Sequence, residues 1–261
     1  MLKKIGILPH PPIVLPEIGR KDAQLVDKTY KAMESIGQEF ASEGINKIVV
    51  ISPHGLAPSR MHAVNTGEIL KGNLGQFNYA KEFNFKNNIQ LVKKLVENDF
   101  YGIETELDHG VLVPLYFLEK LIPDLEIVSI SSGFTNMEDL EEKGKVIANL
   151  LNRDDSFNNE NFGLIISADL SHRLKEDSHY GFAEEGPVFD RMIYEAIEEG
   201  RLDKIKDIPE NIVEGAGQCG FIPLILASFA LSGLKIKTKV LSYEKPFGVG
   251  YLVGKGDIYY D

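Results

Sequence analysis

The sequence predicts an α/β fold: a single domain with a central, mostly parallel or mixed sheet flanked by helices. Three observations predict it. Short β-branched runs alternate with longer stretches of helical periodicity, the pattern of strands joined by crossover helices. The runs are continuously apolar, as in strands buried on both faces. No Pro- or Gly-rich linker divides the chain, so one domain over residues 1–261 is expected.

The first strand is expected at residues 4–8, because the apolar run stops at Pro9 and no small-residue cleavage site follows, unlike a secretory leader. Residues 22–42 repeat apolar side chains at helical spacing, with Leu25, Thr29, Ala32 and Ile36 on one stripe. That helix lies on the sheet and feeds a second strand at 47–52. By the same tests helices are expected at 88–98, 111–121, 137–151, 187–199 and 220–231. Further strands are expected at 126–131, 163–167, 237–242 and 250–253. The most polar stretch, DDSFNNEN at 154–161, reads as a surface loop. Neither an internal repeat nor a low-complexity tract interrupts the pattern.

Composition bounds the function. With 43% hydrophobic and 26% charged residues the chain can bury a sizeable core. Lys and Arg number 28 against 39 acidic residues, a net charge of -11, and no basic stripe offsets it, so nucleic acid is excluded as a partner. The longest apolar stretch, 221–233, falls short of the roughly 18 residues a membrane span requires. The single cysteine, Cys219, excludes an internal disulfide and a thiolate-rich cluster, and fits a reducing cytoplasm, where the protein is expected.

Open α/β sheets bind ligands beyond the carboxyl ends of their strands, so the residues following each strand carry the functional signal. KIGILPH ends in His10, KIVVISPH in His54 and TKVLSYE in Glu244, while GLIISADLSH carries Asp169 and His172. In a parallel arrangement these ends share one edge of the sheet. Two imidazoles and one carboxylate with open positions suit a non-haem iron(II) site, and zinc accepts the same ligand types. A lone histidine after a strand is more often a loop residue capping backbone groups; the shared placement distinguishes this set. In ELDHGVLVPLYFL, Asp108 is placed to cap a helix, His109 to sit at its N-terminus and Gly110 to free the backbone at the turn. Asp169 is placed either to accept the second ring N–H of His172 or to cap a turn. His62 and His179 read as surface or structural residues, Cys219 as buried against the sheet, and Tyr180 as lining the mouth. Arg173 reads as a surface ion pair or a partner for a substrate carboxylate.

The motifs LPHPP, SPHG, DHGVLVPL, ADLSH and SYEKPFGVGY, in this order and at these intervals, resemble the class III extradiol dioxygenase family, the LigB-like proteins. The resemblance spans residues 5–252 and implies a LigB-like, phosphorylase/hydrolase-like architecture. Within the family the chain looks closest to a branch related to Memo-like and radical-SAM-associated proteins, often the N-terminal part of longer chains. The sequence stops soon after its last predicted strand, and such a partner domain is expected to be absent from it.

Residue by residue, the resemblance implies that His10, His54 and Glu244 hold Fe(II), that His172 is the acid/base, and that His109 faces substrate or oxygen. It implies a catechol-like aromatic and O2 as substrates, with His172 removing a hydroxyl proton and returning one later. Related proteins often pair subunits, which makes a homodimer an expectation of the resemblance. Two other readings stay open: a non-catalytic or redox-linked metal-binding protein of the Memo-like kind, and a zinc hydrolase built on the same triad, with His172 as base beside a metal-bound water.

Overall fold

The computed structural model describes residues 1–58, 60–133, 135–158 and 160–260. Its elements in chain order are β1 (Leu2–Leu8), α1 (Pro16–Gly19), α2 (Asp27–Ser42), β2 (Lys47–Ser52), β3 (Ala63–Asn65), β4 (Ile69–Leu74) and β5 (Tyr79–Asn87). Then come α3 (Ile89–Glu97), β6 (Tyr101–Ile103), α4 (His109–Glu119), β7 (Glu126–Ser131), α5 (Met137–Asn152) and β8 (Phe162–Ser167). The last are α6 (Glu185–Glu198), α7 (Glu210–Ala216), α8 (Phe221–Ala230), β9 (Lys235–Glu244) and β10 (Tyr251–Tyr259).

One mixed sheet runs in the order β4-β5-β7-β2-β8-β1-β10-β9, with β3 and β6 attached beside β7. Its centre is parallel: Leu164 of β8 lies between Ile5 of β1 and Val49 of β2, and Val49 also pairs with Val128 of β7. These four strands carry the continuous β-branched runs, and every residue of β8 is buried, as strands covered on both faces require. The two last strands add antiparallel steps, β10 on β1 and β9 on β10. Two reversals restore direction, so β9 ends at the same edge of the sheet as β1, β2 and β8.

Helices cover both faces. On one side Met33, Ile36 and Phe40 of α2 pack with Leu112, Leu115 and Leu118 of α4. On the other, Leu140, Ile147 and Leu151 of α5 pack with Ile193 of α6 and Leu224, Ile225 and Ala227 of α8. The chain therefore leaves β1 through α2 on one face and reaches β8 through α5 on the other. That change of face opens a crevice past the carboxyl ends of β1, β8 and β2.

Four details differ from the sequence reading. The helix expected at 22–42 is α2, which starts at Asp27, because residues Arg20–Val26 form a 3₁₀ turn; Leu25, expected on the buried stripe, is 54% exposed there. The strands β3 to β6 and the helices α1 and α7 were not anticipated; ILKGNL and YAKEFNFKN of β4 and β5 alternate polar and apolar residues around a turn and carry no buried run, and β3, β6 and α1 span only three or four residues each. The polar loop at 154–161 is pinned by Phe157, 2% exposed, while residue 159 lies outside the described residues. Edge strand β9 is only half buried and projects Lys235, Lys237 and Lys239 outward, a charge pattern that discourages edge-to-edge pairing. Among the described residues no helix is long and apolar enough to cross a membrane.

Candidate metal centre

The crevice gathers histidines from three strand ends and one helix. His10 follows β1 and is 2% exposed; its backbone N–H donates to Asp169 Oδ1 at 2.8 Å. His54 follows β2, its N–H held by Ser52 Oγ at 3.2 Å. The Nε2 atoms of His10 and His54 face each other at 3.1 Å. His109 opens α4 and lies against both, its ring 4.7 Å from His54 and 5.6 Å from His10. One donor nitrogen from each of the three falls within 4.8 Å of the others.

Sequence fixes which nitrogen of His10 is free. Pro114 lies inside α4 and has no N–H to give the carbonyl one turn back, that of Gly110. This carbonyl instead accepts the hydroxyl of Ser167, the last residue of β8. With its single proton so committed, Ser167 Oγ can only accept from His10 Nδ1, 2.8 Å away. His10 is therefore protonated at Nδ1 and presents a lone pair at Nε2, the arrangement by which an outer hydrogen bond orients a metal-ligating histidine.

His172 enters from the loop after β8. Its backbone N–H donates to Ala216 O at 3.2 Å, and its ring packs 5.1 Å from Tyr180, which is 55% exposed at the mouth as expected. Between His172 and His10 sits Cys219, its Sγ 3.5 Å from His10 Nε2 and 3.9 Å from His172 Nε2. The sequence reading placed this thiol against the sheet and missed its membership of the cluster. The signal available was GQCG at a helix start: Gln218 Oε1 caps α8 by accepting Phe221 N–H at 2.7 Å, which turns the neighbouring cysteine toward the histidines.

The other expected residues are placed as follows. Asp108 caps α4, accepting Gly110 N–H at 2.7 Å. Gly110 is small for reasons of space and not of turn geometry: a Cβ there would lie 2.5 Å from Ser52 Oγ and 3.0 Å from His54 Cδ2. The carboxylate of Asp169, expected against His172 or in a turn, is engaged by His10, with Oδ2 also 3.8 Å from His10 Nε2. Glu244 ends β9 at the correct edge, but β10 intervenes between it and β1. Its Oε2 accepts from Thr29 N and Oγ1, each at 2.8 Å, and it is not in the three-histidine group. Tyr243 beside it and Ser171 beside His172 are tied together by Asp190, which accepts from the Tyr243 hydroxyl at 2.6 Å and from Ser171 N at 2.8 Å. His62 is structural, the second of its two expected roles: it is buried, its Nδ1 accepts from Gly133 N at 3.2 Å and Asp139 lies 3.3 Å from Nε2. Exposed Arg173 donates to Gly215 O.

Burial dominates the electrostatics. It holds His10 well below its ordinary pKa, helped by the neighbouring histidines, and lowers His54 and His109 against the opposing pull of Asp108. His172 is pushed down to about 4, and burial lifts Asp169 to about 7 and raises the Cys219 thiol. Three neutral imidazoles, those of His10, His54 and His109, thus converge on one spot, and a fourth, His172, stands behind Cys219. Only a proton or a cation can sit between two Nε2 atoms 3.1 Å apart, and donors around an ion at about 2.0 Å lie roughly 3 to 3.5 Å from one another. The donor set fits a divalent metal.

Known proteins carry comparable sequences and folds. A family model described as the catalytic LigB subunit of aromatic ring-opening dioxygenase matches residues 5–254. Protein CA_C1420 of Clostridium acetobutylicum is 33% identical over 266 residues, covering 95% of this chain; the chain spans about half of that relative, 56% of its length. The crystal structure of an uncharacterized Escherichia coli K12 protein, JW3007, superposes with a TM-score of 0.64 over 98% of this chain and 99% of its own. At 17% identity that likeness is one of fold.

Proposed function

The chain belongs to the family of the catalytic LigB subunit of aromatic ring-opening dioxygenases, and from that premise we propose that it is an iron(II)-dependent extradiol dioxygenase acting on a catechol-like aromatic. The observation that carries the reading is the meeting of His10, His54 and His109 within 4.8 Å at one strand edge, with His172 across Cys219 from them, all held neutral by burial. When bound, iron(II) supplies a Lewis acid for two adjacent hydroxyl oxygens and the electron density that makes dioxygen reactive toward the ring.

His10 and His54 would be the two fixed donors, their Nε2 atoms 3.1 Å apart. Glu244 would be the third donor on family resemblance, and to serve as one its Oε2 would have to leave Thr29. His109 is the competing third donor, favoured by its distance to the other two. His172 Nε2, neutral at physiological pH, takes the proton of a substrate hydroxyl and returns it as the ring opens. Phe77 meets the His109 ring edge-on and Tyr180 lies tilted against His172, each covering one flank of its histidine.

One observation favours a second reading. Cys219 Sγ beside His10 and His172 makes the donor set softer than an all-imidazole and carboxylate one, which suits zinc or copper in a protein that binds metal without ring cleavage. Anaerobic loading with iron(II) or zinc, followed by oxygen uptake and semialdehyde absorbance on a catechol panel, separates the two. The dioxygenase shows iron-dependent uptake that disappears in His172→Ala with metal retained. Tight metal binding with no turnover on any catechol establishes the second reading instead. Metal content of Glu244→Gln against His109→Gln identifies the third donor.

A further inference from the structure

A cleft of about 700 Å³ opens beside the histidine cluster, well inside the size range of small-molecule sites. Its inner end is made by Pro53, next to His54, and by Cys219, whose Sγ touches His10. From there it runs outward between α5, α7 and α8. The walls are Met137, Leu140, Ile208, Val213, Phe221 and Ile222, none of which the proposed ring chemistry uses.

The polar groups of the cleft are few and mostly committed to the protein. Ser132 Oγ donates to Ser52 O at 3.0 Å, Thr135 Oγ1 is shared with His62, and Gln218 Oε1 holds the start of α8. The charged groups are Lys206, Glu210 and Glu214, all exposed at the rim. Arg173 lies against Gly217 at the cleft wall and donates to Gly215 O, so two acids face two bases, and in a chain of net charge -11 this leaves no net attraction for an anionic substituent. An apolar group gains from being removed from water along the walls.

We infer that this cleft receives a large uncharged aryl or alkyl arm on the substrate, so that the preferred substrate is an apolar-substituted catechol and not a catechol carrying a carboxylate. The identity of the reacting end rests on the dioxygenase reading, whereas the arm's seat is a property of the cleft. Val213 and Ile222 are half-buried cleft residues at the edge of the core, and a larger side chain at either position narrows the passage.

The test uses zinc-loaded full-length protein and two monophenols that cannot be cleaved, phenol and para-phenylphenol, with calorimetric titration. Para-phenylphenol is expected to bind about tenfold or more tightly than phenol. Val213→Trp and Ile222→Trp are expected to erase that advantage and to leave phenol affinity within about twofold, with thermal melting confirming that both variants fold. Equal affinities in the wild type, an advantage that survives both substitutions, or tighter binding of the para-carboxylated biaryl would overturn the inference. In parallel, iron-loaded protein is assayed on catechol and para-phenylcatechol. An arm advantage in binding without turnover of any catechol supports the cleft and sinks the dioxygenase reading; turnover with no arm preference does the reverse.

Discussion

His10 is specified by residues far from it in sequence. Pro114 frees the Gly110 carbonyl, Gly110 engages Ser167, and Ser167 sets the tautomer of His10. Ser167→Ala therefore leaves every metal donor in place while releasing the proton from its fixed nitrogen. Loss of such an outer hydrogen bond typically costs about 10- to 100-fold in metal affinity, which a competition titration against a chelator reads directly. Unchanged affinity would mean that Ser167 does not orient the ring. His172 carries a second consequence. Its ring stays neutral in the fold down to a pKa of about 4, whereas in the unfolded chain it is protonated below 6.5. Between those values the unfolded state binds the extra proton, so this group's contribution to stability is present above 6.5 and is lost as pH falls toward 4. In the metal-free His172→Gln variant the melting temperature should fall less steeply over that interval than in wild type; parallel slopes would show a ring already charged in the fold. His10, His54 and His172 were readable because a strand brings its own last residues to the edge. Ser167 and Cys219 were not, since a serine ending a strand and a cysteine before a helix gain their meaning only from what the other chain segments place beside them.

Elements position the site by close approach as much as by hydrogen bonding. The start of α4 lies so near β2 that Gly110 is the only residue type without a collision. Gly110→Ala sets a methyl against Ser52 Oγ and His54 Cδ2, and overpacking of this kind costs about 1–3 kcal/mol. Urea unfolding should register that loss, and metal titration should show weaker binding because His54 is the side chain displaced. A variant that unfolds earlier but binds metal normally would show that Ser52 absorbs the methyl instead. The core elements were legible for a physical reason: β1, β2, β7 and β8 are covered on both faces and so spell continuous apolar runs. The hairpin of β4 and β5 alternates exposed and buried residues on a half-open surface. Its sequence carries turn residues and single aromatic anchors such as Phe83 and Phe85, a signal that periodicity resolves poorly in so short a span.

Across the whole molecule the histidine cluster lies where the chain changes from one face of the sheet to the other, so each histidine is anchored to a different part of the core. Direction along the sheet could be read from the strand ends, but strand order could not. Nothing local says that β10 separates β9 from β1, which is why Glu244 shares the edge yet rests on Thr29. A cation that ties β1, β2 and α4 together binds the folded chain and not the unfolded one, and its effect on stability is set by mass action. At a free metal concentration about 100 times the dissociation constant the stabilisation is about 2.7 kcal/mol, which for a domain of this size raises the melting temperature by roughly 5–10 °C. Scanning calorimetry with and without iron(II) or zinc should show that rise, a chelator should reverse it, and His10→Ala should abolish it, because His10 Nε2 is the donor closest to both His54 and Cys219. A rise that persists in His10→Ala would place the metal elsewhere on this acidic chain and would remove the basis for reading the histidine cluster as its site.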